Sequence, residues 1–77
     1  MTETLDIHGL TEATAKKEIE KTIASLPKDV KQLIVIHGHK HGDALKRMVQ
    51  SPHAIRSKRL KRRKYTKNPG ETILELY

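Results

Sequence analysis

The chain has 77 residues, of which 35% are hydrophobic, and its net charge is +7. This length allows one domain, residues 1–77, with a small core and no large cofactor cavity, and the absence of cysteine excludes disulfides, thiol nucleophiles and cysteine-ligated zinc and favours the cytoplasm. The only aromatic residues are Tyr65 and Tyr77, too few for a domain that stacks bases on an aromatic platform.

The first half of the sequence predicts a strand, a helix and a second strand. Residues 5–8 alternate between apolar and polar, which is typical of a strand, and no signal-peptide pattern precedes them. Apolar residues recur at helical spacing over residues 15–26, with Thr11 as the expected N-cap and Pro27 just beyond the end. Residues 33–36 are apolar on both faces, which indicates a central strand with parallel neighbours, and they are too few to span a membrane.

The second half predicts a short helix, a basic segment and a closing strand. Asp43 is a candidate N-cap for an amphipathic helix over residues 44–49. Residues 55–60 are predicted to be extended, whereas residues 61–66 are compatible with either strand or loop. Alternation over residues 72–76 predicts the last strand. The order β-α-β-α-β-β predicts an α/β fold, in the form of an α+β sandwich of two layers, with a four-stranded mixed sheet and two helices.

The first two predicted strands both end in a His–Gly pair, at His8-Gly9 and at His37-Gly38. Two successive strand–helix units imply parallel strands joined by a right-handed crossover. Both strands then end at the same edge of the sheet, where open α/β sheets bind their ligands. We therefore expect the two His–Gly pairs to lie side by side.

Asp6 and His8 are two residues apart on a predicted strand, so their side chains share a face. A carboxylate bonded to one imidazole nitrogen fixes the tautomer and raises the basicity of the other. We interpret His8 as a general base, oriented by Asp6, and His37 as an acid or phosphate ligand, an arrangement suited to phosphodiester cleavage in RNA. A structural interpretation, with histidines as polar strand ends and glycines as turn residues, explains the same spacing.

A loop rich in histidine and glycine follows the second strand. Glycines let backbone N–H groups approach a phosphate closely. The residues of the predicted phosphate-binding loop are Gly9, Gly38, His39, Lys40, His41 and Gly42. Histidines two apart can also share a divalent metal ion. Because Lys40 would repel a cation, we expect no metal and no other cofactor.

Positive charge is concentrated in the second half of the chain. Residues 1–39 hold five lysines and six acids, for a net −1, and residues 40–77 hold eleven Lys and Arg and three acids, for a net +8. The basic segment, residues 56–64, carries seven of these charges, which favours salt-dependent contact with nucleic-acid phosphates. The alternative is a solvated edge strand whose charges block edge-to-edge pairing. The predicted nucleic-acid contacts are Arg47, Arg56, Lys58, Arg59, Lys61, Arg62, Arg63 and Lys64.

Taken together, these motifs resemble those of the Smr (small MutS-related) domain family. The family has an L-D-x-H-G motif, which residues 5–9 match, and an H-G-x-G motif, which residues 37–40 match in part. Its terminal Gly-x-Thr-x-Val-x-Leu strand is similar to residues 70–76. The resemblance covers almost the whole chain and implies a fold like the C-terminal domain of a bacterial translation initiation factor.

The resemblance also implies nucleic-acid binding and, as in several members, nicking of DNA or endonucleolytic cleavage of RNA, in some cases on mRNA at stalled ribosomes. The first motif falls on Asp6, His8 and Gly9, and the second on His37 and Gly38. We expect a monomeric endonuclease that prefers RNA to DNA, with the ribosome as a further candidate partner.

Lys40 stands where the family motif has its second glycine. A lysine resists the left-handed backbone region that glycine adopts, so the loop is expected to be reshaped. Either the side-chain charges of His39, Lys40 and His41 replace the lost N–H contacts, or cleavage is weakened while binding survives. The second alternative describes a non-catalytic nucleic-acid or ribosome-binding module.

Overall fold

The computed structural model describes residues 1–39 and 43–77. Within these ranges the chain forms a β-α-β-α-β-β fold with a mixed sheet of four strands and two helices, which confirms the predicted α+β class. The predictions for Lys40, His41 and Gly42 lie outside the described residues. The elements are β1 (Thr2–Asp6), α1 (Glu12–Ser25), β2 (Gln32–Ile36), α2 (Ala44–Gln50), β3 (Leu60–Tyr65) and β4 (Glu71–Leu76).

The strand order in the sheet is β1-β2-β4-β3. β1 and β2 are parallel, and β4 runs antiparallel to both of its neighbours. The prediction of parallel neighbours for β2 is therefore confirmed for β1 and wrong for β4. Asp6 lies opposite Ile36, Ile36 opposite Glu71, and Tyr65 opposite Thr72. The carboxyl ends of β1, β2 and β3 therefore lie at one end of the sheet, together with the start of β4. We call this the carboxyl end of the sheet.

Helix α1 forms because its apolar residues recur every fourth position. Ala15, Ile19 and Ile23 are fully buried and make a single stripe against the sheet. The helix begins at the predicted cap, where the Thr11 hydroxyl accepts the N–H of Thr14 at 3.2 Å. This bond satisfies one of the amide groups that the first helical turn leaves unpaired.

Both helices pack on the same face of the sheet. Leu33 and Val35 of β2 and Leu74 of β4 are buried beneath them, and each contributes roughly 1.5–3 kcal/mol by leaving water. On the opposite face, Ile34 and Ile73 are only half-buried. The sheet therefore has one face covered by helices and one that we call the open face.

The structure changes two details of the predicted elements. β1 ends at Asp6 instead of residue 8, because the Asp6 side chain accepts the N–H of His8 and turns the chain. The prediction of an extended segment over residues 55–60 is wrong up to residue 59. The Ser57 hydroxyl accepts the N–H of Arg59, which forms a turn before β3 begins at Leu60. Residues 61–65, whose sequence is compatible with either strand or loop, belong to β3.

No helix in the described part of the chain is long and apolar enough to cross a membrane.

Candidate active site and nucleic-acid interface

Asp6 and His8 form a hydrogen-bonded pair at the carboxyl end of β1. One oxygen of Asp6, Oδ1, accepts the backbone N–H of His8 at 3.0 Å and lies 2.5 Å from the His8 Nδ1. A carboxylate oxygen can only accept, so the imidazole proton resides on Nδ1 and leaves Nε2 as the basic nitrogen. The His8 side chain is 70% exposed. Its Nε2 can therefore reach a substrate that lies across this end of the sheet.

The same two hydrogen bonds act on the acidity of Asp6. Two hydrogen bonds hold the pKa of the Asp6 carboxyl below its ordinary value of 3.8. The bond from the His8 side chain has the larger effect and the bond from the His8 backbone N–H the smaller. Asp6 therefore remains charged at neutral pH and continues to hold the His8 ring in one orientation.

We expect His8→Ala to raise the pKa of Asp6 back towards 3.8, because the variant removes the stronger of the two bonds. The lowered pKa of the folded state means that the pair stabilises the protein above pH 3.8, and that this contribution is lost as the pH falls through the folded-state pKa. NMR titration of the Asp6 carboxyl carbon measures the change, with His53→Ala as the control. An identical Asp6 titration in wild type and His8→Ala would contradict the assigned cause.

The two His–Gly pairs lie side by side, as expected. The N–H of Ile7 donates to the carbonyl of Ile36 at 2.9 Å, which extends the pairing of β1 with β2 beyond the strand. Gly38 adopts a φ of +78°, and a Cβ placed on it would lie 3.7 Å from the Cβ of His8. The chain after β2 therefore forms one wall of the space beside the Asp6–His8 pair.

His37 lies beneath this wall and is 4% exposed. Its Nδ1 is 2.8 Å from the carbonyl of Gly38, so Nδ1 carries the proton, and its Nε2 is 2.9 Å from the Thr72 hydroxyl. The Gln50 side chain donates to the same hydroxyl at 3.0 Å, which leaves the hydroxyl proton for His37 Nε2. Both ring nitrogens are thus engaged within the protein. This favours a role for His37 in fixing the loop over its predicted role as acid or phosphate ligand.

Gly70 joins the turn between β3 and β4 to the same loop. Its carbonyl accepts the N–H groups of both His37 and Gly38 at 2.9 Å, so the Gly38 amide is engaged by the protein and not open to a phosphate. Gly70 is buried, and a Cβ on it would lie 3.3 Å from Nδ1 of His39. Gly9 is exposed at φ +82°, with no described atom within 4 Å of the Cβ position, and offers the more open backbone.

Gly70 and Thr72 are not among the predicted site residues. The signal for both is the closing Gly-x-Thr motif, which predicts a strand but by itself does not indicate a site. Their function is visible only once β4 is placed beside β2, because their partners in the loop after β2, His37 and Gly38, lie more than 30 residues earlier in the chain.

Arg59, one of the predicted nucleic-acid contacts, is directed into the protein. Its guanidinium donates to the carbonyls of Ile23 at 3.2 Å, Leu26 at 2.7 Å, Pro27 at 3.2 Å and Val30 at 3.0 Å. These carbonyls lie at the end of α1 and in the segment that follows it, where a helix leaves acceptors unpaired. Arg59 therefore closes the C-terminus of α1, and a phosphate would have to displace these bonds to reach it.

Arg63 is also partly buried. Its register opposite Leu74 places it on the helix-covered face, where its Nε donates to the carbonyl of Val49 at 2.7 Å, near the end of α2. Its Nη2 is buried and has no hydrogen-bond partner within residues 1–39 and 43–77. Arg63 thus donates to a carbonyl near the C-terminus of α2, as Arg59 does at the C-terminus of α1.

Three other basic side chains surround Glu75 on the open face. Its carboxylate lies 3.7 Å from Lys61, 3.0 Å from Arg62 and 3.4 Å from Lys64. Partial burial, at 16% exposure, acts to raise the pKa of Glu75, but the bonds and charges of Arg62 and Lys64 prevail and hold it below its ordinary value of 4.5. We call these four residues the Glu75 cluster. It carries a net charge of +2 on the open face.

The remaining predicted contacts lie nearer the surface. Arg47 pairs at 3.0 Å with Asp43, the residue that precedes α2, and the backbone N–H of Arg56 donates to Glu20 at 2.7 Å. Lys58 is exposed in the turn before β3. The basic segment is therefore not one continuous strip, because two arginines turn inward and three cations gather around a carboxylate.

Within the described residues, no group of three or more His, Asp and Glu side chains is arranged to hold a metal ion.

Comparison with known proteins places this chain in a family. The family model described as the Smr domain matches residues 5–72, which run from β1 into β4 and include the Asp6–His8 pair, His37 and Gly70. A search of curated proteins and a search of solved structures found no match. Because the family model covers most of the 77 residues, the chain belongs to the Smr domain family.

Proposed function

We propose that this protein binds nucleic acid and cleaves phosphodiester bonds, with RNA as the preferred substrate. The observation that carries the proposal is the exposed His8 imidazole, bonded to Asp6 through Nδ1 and standing beside Gly38 at the carboxyl end of the sheet. Membership of the Smr domain family supports the same class of activity.

The chemistry follows from the position of the pair. His8 Nε2 takes the proton of a ribose 2′-hydroxyl, and the 2′-oxygen attacks the adjacent phosphorus as the bond to the 5′-oxygen breaks. Asp6 stabilises the imidazolium that forms. The leaving 5′-oxygen takes up a proton, for which the exposed His39 beside Gly70 is more accessible than the buried His37. This route needs the 2′-hydroxyl, which is why RNA is preferred to DNA.

Binding is supplied by the positive surface. The predicted contacts whose charges lie at the surface are the three cations of the Glu75 cluster, together with Arg47, Arg56 and Lys58. Because such contacts release counterions, affinity is expected to fall steeply with salt. The cytoplasm as the location, the ribosome as a partner and the monomeric state remain predictions, which co-sedimentation with ribosomes and sedimentation equilibrium can test.

The alternative function is nucleic-acid or ribosome binding without cleavage. The observation in its favour is that the Gly38 amide donates to Gly70, so it does not serve as a phosphate donor in this conformation. The lysine at position 40 of the H-G-x-G motif points in the same direction.

Cleavage and binding assays on the same substrates distinguish the two functions. Single-stranded RNA, structured RNA and branched DNA are labelled at both ends and incubated with the protein, with and without EDTA. We expect RNA cleavage that persists in EDTA and leaves a 2′,3′-cyclic phosphate and a free 5′-hydroxyl. Salt-sensitive binding with no cleavage selects the binding module, and no binding to any substrate overturns both functions.

Glu75→Gln is expected to strengthen RNA binding at low salt. The variant removes the carboxylate that competes with phosphates for Lys61, Arg62 and Lys64. The slope of log K against log salt should steepen by about 0.7 for each phosphate gained on a single strand. Fluorescence polarisation over a salt series measures the slope, with Glu18→Gln on α1 as the control for the change in net charge. Equal slopes for the two variants would show that the Glu75 cluster does not contact nucleic acid.

A further inference from the structure

A groove lies between α2 and the turn that joins β3 to β4. It is lined by Lys46 and Gln50 of α2, Tyr65 at the end of β3, Pro69 of the turn and Glu71 at the start of β4. Tyr65 is 66% exposed, which is unusual for a large aromatic side chain in so small a protein. Its ring is therefore available to an external partner.

The charges of the groove indicate what kind of group it takes. Lys46 contributes one positive charge and Glu71 one negative charge, so the groove as a whole is close to neutral. A phosphate would be repelled by Glu71. A flat uncharged ring can instead stack on Tyr65 and present its polar edge to the Gln50 amide or to Glu71, which accepts hydrogen bonds from exocyclic amino groups.

The groove lies at the same end of the sheet as the Asp6–His8 pair. Tyr65 ends β3 as Asp6 ends β1, and the two strands are separated by β2 and β4. Three strand spacings put the backbone of Asp6 and that of Tyr65 about 14 Å apart. Between Asp6 and Tyr65 lie the hydrogen bonds that the His37 and Gly38 amides donate to the Gly70 carbonyl. One single strand of RNA, a few nucleotides long, can span both.

We infer that this groove is a nucleobase-binding subsite, in which Tyr65 stacks on an unpaired base a few nucleotides from the bond that is cleaved. The inference rests on the proposed function and adds a preference for single-stranded substrate, since a base in a duplex cannot enter the groove. Lys46 is placed to neutralise the phosphate next to the bound base. In this proposal a single tyrosine provides the base stacking for which other domains use several aromatic side chains.

Tyrosine fluorescence tests the inference directly, because the chain has no Trp and only two tyrosines. In Tyr77→Phe, Tyr65 is the only fluorophore, and single-stranded RNA is expected to quench it. In Tyr65→Phe, the remaining Tyr77 is 65% exposed at the opposite end of the sheet, where the centre of its ring lies 6.0 Å from Nζ of Lys61. Its signal therefore reports contact of RNA with the Glu75 cluster, and only the Tyr65 signal is expected to recover when the stacked base is replaced by an abasic nucleotide.

Binding measurements supply the second readout. Tyr65→Ala is expected to bind single-stranded RNA about 10-fold more weakly, within the range for loss of one stacked base, whereas Tyr65→Phe, which keeps the aromatic ring, binds as wild type. An abasic nucleotide at one position of the RNA should have the same effect in wild type and none in Tyr65→Ala. If wild type binds RNA and Tyr65→Ala binds equally well, the subsite is overturned and the proposed function stands. If wild type binds no RNA, the proposed function fails and the subsite with it.

Discussion

Replacing His8 with alanine is expected to slow RNA cleavage by about 10²- to 10⁴-fold, which is the usual contribution of a general base. RNA affinity should be nearly unchanged, because the imidazole is neutral when it acts as a base and the positive surface lies elsewhere. Single-turnover cleavage and polarisation, measured on the same labelled RNA, separate the two quantities.

Asp6→Asn should produce a smaller loss than His8→Ala. Asparagine still offers a side-chain oxygen to the His8 Nδ1 at the position of Oδ1, but it no longer stabilises the imidazolium formed during reaction. His53→Ala, in the turn after α2, controls for the loss of an exposed histidine. Cleavage by His8→Ala at the wild-type rate would disprove the mechanism, even if the fold and RNA binding are as described.

Replacing Arg59 with alanine is expected to destabilise the protein by about 2–4 kcal/mol, because hydrogen bonds from a charged donor are each worth roughly 1.5–3 kcal/mol and this half-buried group is partly screened by water. Four carbonyls at and after the end of α1 lose their bond to the guanidinium at once, although two of them keep a backbone donor, Ile23 from Leu26 and Pro27 from Val30. Small domains have only about 5–15 kcal/mol of stability in total. The loss is therefore a large fraction of what holds α1 in place.

Urea unfolding followed by far-ultraviolet circular dichroism measures the effect of Arg59→Ala. Lys58→Ala is the matched control, since it removes the same charge one residue away from an exposed position. Arg59→Lys keeps the charge but lacks the planar fork, and should recover only part of the stability. Equal unfolding midpoints for Arg59→Ala and Lys58→Ala would show that the charge, and not the four hydrogen bonds, is what matters at this position.

Much of the fold and part of the candidate site could be predicted from local patterns. The stripe of Ala15, Ile19 and Ile23, the Thr11 cap and the apolar second strand depend on spacing within a few residues, and the structure confirms them. The pairing of Asp6 with His8 is equally local, because the two residues are two positions apart and share one side of the chain. Parallel strands with a right-handed crossover then suffice to bring Gly38 beside His8.

The roles of several polar residues could not be read in the same way. In the sequence, Arg59 is one of seven similar charges, and His37 is a second copy of the His8-Gly9 pattern. Their partners lie far along the chain, with Arg59 bonded to Ile23 across 36 residues and His37 to Thr72 across 35. Only the packing of α1 and β4 decides that these side chains form hydrogen bonds within the protein.

The sequence by itself determined that this is a small basic Smr domain with an Asp–His pair at a strand end. Its size and charge are sums over the chain, and its periodicity and short motifs depend only on residues close together in the sequence. Only the tertiary structure decided which of its charges and histidines face a substrate. The strand order β1-β2-β4-β3 places Gly70 against the His37–Gly38 loop and Tyr65 at the same end of the sheet as His8. The free energy of burying a polar group depends on the partner that it finds there, and that partner is set by the sheet and not by spacing along the chain.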